Sequence, residues 1–576
     1  TIHINDILIN PTSSPIIVNY VVTPTSANNC VGPAEVIAIT VNPTPFIPAQ
    51  VLSTCSGVGF AVAPVDGVGG GIVPAGTTYR WTAPSVTGGI TGGSAQPILQ
   101  PTISQTLTNP TNVPQTATYT VTPVSGASGS CVGPNFTVTV TVDPTPVIPA
   151  QSATICSGDI FTVSPSNGGA TIVPAGTTYT WLAPAVTGGI TGGSASVGPQ
   201  ANISQTLTNP TNVVQTATYT VTPTSGASGA CVGTNFTVTV TVNPRPSIQP
   251  QIASTCSGSA FTVAPVNSGT DIVPGGTTYA WGLPTFAPGA ISGASAQSGQ
   301  PNISQTLTNL TNTDQVVTYS VTATSGLCSS TPFSVTVTVN PRPVIPAQTI
   351  STCSGSGFTV SPANNAPVTI VPVGTTYEWN TPVFIPGTIS GASAQSGQAD
   401  ISQTLTNLTN TNQLVTYTVT PRSGTCTGSN FTVTVTVNPT PVIPAQTATI
   451  CGGETFTVIP SNGGATIVPA GTTYTWSAPA VTGGITGGSA SAGPQANISQ
   501  TLTNPTSIVQ IATYTVTPTS GASGACGGLD FTVTVTVNPT PFIPAQVLST
   551  CSGTAFTVAP VDGVGGGIVP AGTTYR

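Results

Sequence analysis

The motif Asn/Asp-Pro-x-Pro recurs at Asn42, Asp143, Asn243, Asn340, Asn438 and Asn538, a period of about one hundred residues. Self-similarity at a fixed period means that one structural unit is repeated, and this constrains the fold before any single motif does. Five complete repeats lie between the junctions, at 43–143, 144–243, 244–340, 341–438 and 439–538. Residues 1–42 match the C-terminal half of a repeat and 539–576 its N-terminal part, so the sequence reads as an internal piece of a larger exported protein. A unit of this size is expected to enclose its own core.

Repeat 144–243 shows what kind of core. Phe236, Val238, Val240 and Val242 alternate with Thr237, Thr239 and Thr241. That period of two belongs to a strand with one buried and one wet face. Ala217, Tyr219 and Val221 alternate with threonines in the preceding strand, and Ser-Gly-Ala-Ser-Gly between the two is a hairpin loop. Ile203 to Leu207, Tyr179 to Trp181 and Phe161 to Val163 are further short strands bounded by Gly or Pro. The Pro-Val-Ile-Pro segment at 146–149 brings the count to about seven. Seven strands per hundred residues predict an all-β chain of tandem immunoglobulin-like β-sandwiches arranged as an extended rod. The 64 glycines and 57 prolines would suggest disorder in a charged, β-poor chain, but only 3% of residues are charged and β-formers abound.

One tryptophan falls in each complete repeat (Trp81, Trp181, Trp281, Trp379, Trp476), as does one tyrosine of the penultimate strand (Tyr119, Tyr219, Tyr319, Tyr417, Tyr514). Placement at fixed strand positions reads as core rather than as sugar-stacking platforms.

The chain has no lysine, and its five arginines are far apart, so no cluster of cations can neutralise a phosphate backbone. No nucleic-acid partner is expected. No stretch approaches eighteen uninterrupted apolar residues, and no membrane insertion is expected either. His3 is the only histidine, the carboxylates are scattered, and Gly69–Gly71 lacks the Lys-Ser/Thr of a phosphate loop. No catalytic site, metal site or cofactor is therefore expected, and the chain reads as no enzyme.

The twelve cysteines follow the repeat. An early one (Cys55, Cys156, Cys256, Cys353, Cys451, Cys551) and a late one (Cys30, Cys131, Cys231, Cys328, Cys426, Cys526) recur. The offset from each late cysteine to the next early one is the same every time: 30 to 55, 131 to 156, 231 to 256, 328 to 353, 426 to 451 and 526 to 551. Two per repeat, without Cys-x-x-Cys or a histidine partner, indicate disulfides in an oxidising compartment. Two pairings are open. One joins early to late within a repeat, Cys55 with Cys131 and onward, leaving Cys30 and Cys551 to pair outside the segment. Alternatively, neighbours are stapled, Cys55 with Cys231 and so on, because early and late cysteines lie at opposite ends of a sandwich. A nine-residue strand spans about 30 Å, whereas a disulfide needs Cα atoms within about 7 Å.

The succession Cys-x-Gly, Thr-Tyr-x-Trp, Tyr-x-Val-Thr-Pro, Gly-x-Cys and Phe-Thr-Val-Thr-Val-Thr-Val-Asn-Pro-x-Pro covers essentially the whole chain. It resembles the PKD-like and immunoglobulin-like repeats of Bacteroidota cell-surface proteins, most of all gliding-motility adhesins of the SprB kind, exported by type IX secretion. The resemblance implies a motile, adhesive filament at the bacterial cell surface. Its partners would be an extracellular surface or polysaccharide, held weakly and multivalently, with secretion and anchoring machinery of the outer membrane outside this segment. Two other functions fit the repeats: a carbohydrate- or surface-binding module array of a larger secreted protein, and a self-assembling extracellular matrix or sheath fibre.

Overall fold

The computed structural model describes residues 3–576. It is all-β: no α-helix occurs among the described residues, and five units, each a main sheet faced by a two-stranded sheet, with a further two-stranded pair in the third and fourth, follow one another in an elongated row.

The unit from Gln151 to Asn243 represents the rest. Its main sheet orders an opening strand (Gln151–Cys156), a closing strand (Phe236–Asn243), a tyrosine strand (Gln215–Thr224) and a tryptophan strand (Thr178–Trp181). Ala185–Val186 adds a short pairing with the tyrosine strand. The second sheet pairs Ile160–Val163 with Ile203–Thr206. The closing strand is antiparallel to the tyrosine strand, with Tyr219 opposite Val238. It is parallel to the opening strand, where Cys156 lies beside Asn243.

Alternation creates the core. Val238, Val240 and Val242 are fully buried while Thr237 is exposed. Across the sandwich Phe161 meets Tyr219 at 5.4 Å between ring centroids, and within the main sheet Tyr179 meets Phe236 edge-on at 6.2 Å. The Tyr219 hydroxyl donates to Gln205 Oε1 at 2.8 Å and the Trp181 indole N–H to the Ser194 carbonyl at 3.1 Å, so both rings are buried without orphaning their polar atoms. Each of the five cores draws its side chains from one unit alone. All five tryptophans and all five tyrosines of the penultimate strands are buried.

Two local devices complete the unit. Gly192 has φ +88°, and a Cβ there would collide with the Thr206 carbonyl oxygen, so only glycine fits this turn between the sheets. The segment at 146–149 is not a strand, contrary to the sequence-based expectation. Val147 makes an isolated bridge to Ile172, and the continuous strand begins at Gln151. Pro146 and Pro149 have no N–H to give a ladder, which delays pairing until the prolines are passed.

The ends differ from the complete units. Ile16–Val22 and Glu35–Val41 form a lone antiparallel hairpin with its apolar side chains partly exposed. Residues 539–576 hold an isolated bridge, Phe542 to Ile568, and a single 3-10 turn.

Candidate functional site at the joints between units

The chemistry that distinguishes this chain is concentrated where one unit meets the next. The opening strand of each unit runs parallel to the closing strand, so the early cysteine ends it at the far end of the unit, level with the junction Asn or Asp. The late cysteine sits in the hairpin before the closing strand, at the near end. Early and late cysteines of one unit are thus a strand length apart, and those of neighbours are adjacent.

The disulfides follow from that placement. Cys55 joins Cys231, Cys156 joins Cys328, Cys256 joins Cys426 and Cys353 joins Cys526, with Cα separations of 5.6, 5.6, 5.6 and 5.7 Å. Every bond crosses a joint. The pairing within a repeat is not formed, for the reason that strand length gives. Cys30, Cys131, Cys451 and Cys551 are unbonded, and this register offers them no partner within the sequence.

Hydrogen bonds hold the same joints. The middle residue of Pro-x-Pro turns back onto the residues that follow the early cysteine. Thr145 Oγ1 donates to the Ser56 carbonyl at 3.0 Å, Thr440 Oγ1 to that of Ser354 at 3.2 Å and Thr540 Oγ1 to that of Gly452 at 2.7 Å. Arg245 does more: Nε donates to the Ser157 carbonyl at 2.9 Å, Nη2 to Asp159 Oδ1 at 2.6 Å, and Nη1 reaches Ser329 of the next unit at 3.2 Å. Asp143 is wholly buried in its joint, where Oδ1 accepts from Ser228 Oγ at 3.3 Å and Oδ2 has no partner.

A buried asparagine secures the loop behind each early cysteine. Asn209 donates through Nδ2 to the carbonyls of Val213 and Val242 at 2.8 and 3.0 Å, and its Oδ1 accepts from the N–H and hydroxyl of Thr211 at 2.9 and 2.8 Å. Its N–H donates to Oγ of Ser157, the residue after Cys156, at 2.9 Å. Asn109, Asn309, Asn407 and Asn504 repeat the side-chain pattern. Sequence reasoning did not single out these asparagines. The recurring Leu-Thr-Asn-x-Thr was the available signal.

Away from the joints, no group of three or more metal-ligating side chains occurs among the described residues. Burial pushes the Tyr119, Tyr219 and Tyr514 phenols up to about 12 and those of Tyr319 and Tyr417 higher still, so these hydroxyls are fixed donors rather than acid–base groups. No described helix is long and apolar enough to cross a membrane. The arrangement supports cross-linking. Four disulfides mark an oxidising environment outside the reducing cytosol.

Among solved structures, the chain is similar to Sidekick-1 immunoglobulin domains 1–5 (10% identity, 86% of this chain and 99% of that one, TM-score 0.18). It is similar also to the protocadherin GammaB4 extracellular domain (12%, 92% and 90%, TM-score 0.19) and to the insect immune protein hemolin (12%, 69% and 100%, TM-score 0.19). A search of the curated proteins finds no match. The model of the PKD-like domain matches residues 1–45, 53–146, 153–246, 253–343, 350–441 and 448–541. With six matches along nearly its whole length, a tandem array typical of extracellular adhesion modules, the chain belongs to the PKD-like domain family.

Proposed function

We propose that this chain is part of a long extracellular filament on a bacterial cell surface that attaches its owner by weak contacts repeated along the fibre, in the manner of gliding-motility adhesins exported by type IX secretion. The observation that carries the reading is the stapled joint: each complete unit seals its own core and is covalently tied to a neighbour, as a projecting stalk requires. With only 3% of its residues charged, the chain leaves adhesion insensitive to ionic strength. Avidity then comes from repetition rather than from one tight site. Immunogold labelling with an antibody to one unit tests this. Labelled fibres at the cell surface that shorten when units are deleted, with attachment lost in parallel, are expected; attachment unchanged by deletion of the array rejects the reading.

Polysaccharide is the substratum the wet faces favour. A groove of about 530 Å³ on the tryptophan strand of one unit is lined by Glu378, Asn380, Gln395, Thr418, Thr420 and Asn430. A groove of about 470 Å³ lies at the matching place of the unit before it, lined in part by Gln297, Ser320 and Thr322. Amides and hydroxyls of this kind match sugar hydroxyls. Glycan-array binding that falls in the Gln395→Ala and Gln297→Ala variants is expected, and binding indifferent to both would move the contact elsewhere.

A further inference from the structure

The constant offset from each late cysteine to the next early one has a mechanical meaning once the disulfides are placed. Starting from Cys231 at the near end of its unit, the chain runs along the closing strand Phe236–Asn243 to the far end. It crosses the proline linker and follows the opening strand Gln251–Cys256 to the far end of the next unit. There the Cys256–Cys426 bond hands the covalent path to the near end of the unit after that. One short segment, 231–256, and one disulfide therefore carry the path across two units.

The staples define two such paths. One runs through Cys55–Cys231, residues 231–256, Cys256–Cys426 and residues 426–451. The other runs through residues 131–156, Cys156–Cys328, residues 328–353, Cys353–Cys526 and residues 526–551. They pass each other in every unit as its one parallel strand pair: in the unit from Gln151 to Asn243 the opening strand belongs to the second path and the closing strand to the first. Everything between an early cysteine and the late one of the same unit, such as residues 157–230, lies off both paths.

We infer that the array is a tensile member with two redundant covalent tracks, in which the parallel strands bear load and the rest of each sandwich holds them in register. The tracks have little slack. Strand residues already advance about 3.3 Å each and proline-rich linkers about 3.1 Å, against a limit of about 3.5 Å. Fully stretched, the segment 231–256 reaches about 87 Å over two units, whereas the whole stretch from Cys231 to Cys426 would reach about 680 Å unstapled. Tension that unfolded a unit would thus gain little length, so the fibre transmits force instead of yielding. The inference rests on the disulfide topology alone and stands whatever the fibre adheres to.

Single-molecule pulling of the whole chain by its ends tests it, before and after reduction with a phosphine. Between Cys55 and Cys526 the shortest stapled route follows only the segment 231–256 and, in reverse, the segment 426–353. The oxidised chain is expected to stop about fivefold shorter over this span and to lack steps of about 300 Å, which a freed hundred-residue unit gives. The reduced chain is expected to show those steps, which also demonstrates that its units are folded. Replacing Cys256 and Cys426 together by Ser leaves a route of nearly the same length through the second track, back from 231 to 156 and then from 328 to 353, so the limit should hardly move. Steps of about 300 Å from the oxidised chain, a large lengthening on loss of that one staple, or peptide mapping that joins Cys55 to Cys131 would each overturn it.

Discussion

The side-chain amide of Asn209 donates to the carbonyl of Val242 at 3.0 Å, tying the loop behind the Cys156 staple to the closing strand that runs between Cys231 and Cys256. At 1% exposure Asn209 has both its Oδ1 and Nδ2 satisfied within its own unit. Asn209→Ala leaves several of these partners unmatched in a buried place, at a cost of about 2–4 kcal/mol. Hydrogen exchange is the suitable measure, because five similar units do not melt as one two-state system. Exchange in peptides spanning 203–224 should accelerate while the corresponding peptides of the other four units keep their protection.

The joint at Asp143 breaks the pattern of the other junctions, which carry Asn. Asn42 uses its amide N–H to bond the Ser128 carbonyl of the following hairpin, a donor that a carboxylate lacks. Asp143 is fully buried with one oxygen unpartnered, so Asp143→Asn should stabilise its joint by about 1 kcal/mol. Slower exchange in the 226–231 hairpin checks the sign. Faster exchange would mean that the carboxylate has a favourable partner in solution.

How far the sequence reaches depends on whether a feature is set within one strand or between units. The closing strand was legible because Val238, Val240 and Val242 alternate with threonines without interruption. The opening strand was not: Gln-Ser-Ala-Thr-Ile-Cys at 151–156 is a weakly patterned edge strand, and the prolines before it drew attention to the wrong four residues. Tyr219 and Trp181 could be assigned to the core from position alone, since a buried ring at a fixed place in a strand needs no partner from another unit. The partner of Cys156 could not be fixed that way. Along the chain the late cysteine before it, Cys131, is closer than the one after it, Cys231, yet it bonds neither, because contact depends on which ends of two sandwiches abut. The asparagine at 209 was invisible for another reason: a turn residue and a buried fully bonded amide have the same sequence appearance until the strand behind the turn is in place.

The tyrosine cores make alkaline stability predictable. Burial raises the Tyr119, Tyr219 and Tyr514 phenols from 10.0 to about 12, so the folded chain binds more protons than the unfolded one between these values. Stability conferred by the neutral phenols is complete below pH 10 and is lost as pH rises toward 12. Tyrosinate absorbance from these residues should appear late in a pH titration, together with loss of the β-sheet circular dichroism. Tyr219→Phe removes the hydroxyl that donates to Gln205 and should cost its unit about 1 kcal/mol at neutral pH.

Gly192 offers a way to separate backbone strain from steric clash. Its φ of +88° disfavours any side chain, and a Cβ would also collide with the Thr206 carbonyl oxygen. Gly189 shares the first problem, with φ +72°, but has open space around the Cβ position. Gly189→Ala should therefore cost only the left-handed penalty of about 1–2 kcal/mol. Gly192→Ala adds a clash with backbone that cannot swing aside, and the total should reach about 2–5 kcal/mol. Because Thr206 precedes Leu207 of the core and Thr208, which bridges Thr191, the damage should spread through both sheets of that unit. Localised hydrogen exchange comparing the two variants decides the matter: equal losses of protection would show that φ alone dictates glycine here, whereas a clear excess at position 192 assigns the requirement to the close approach between the sheets.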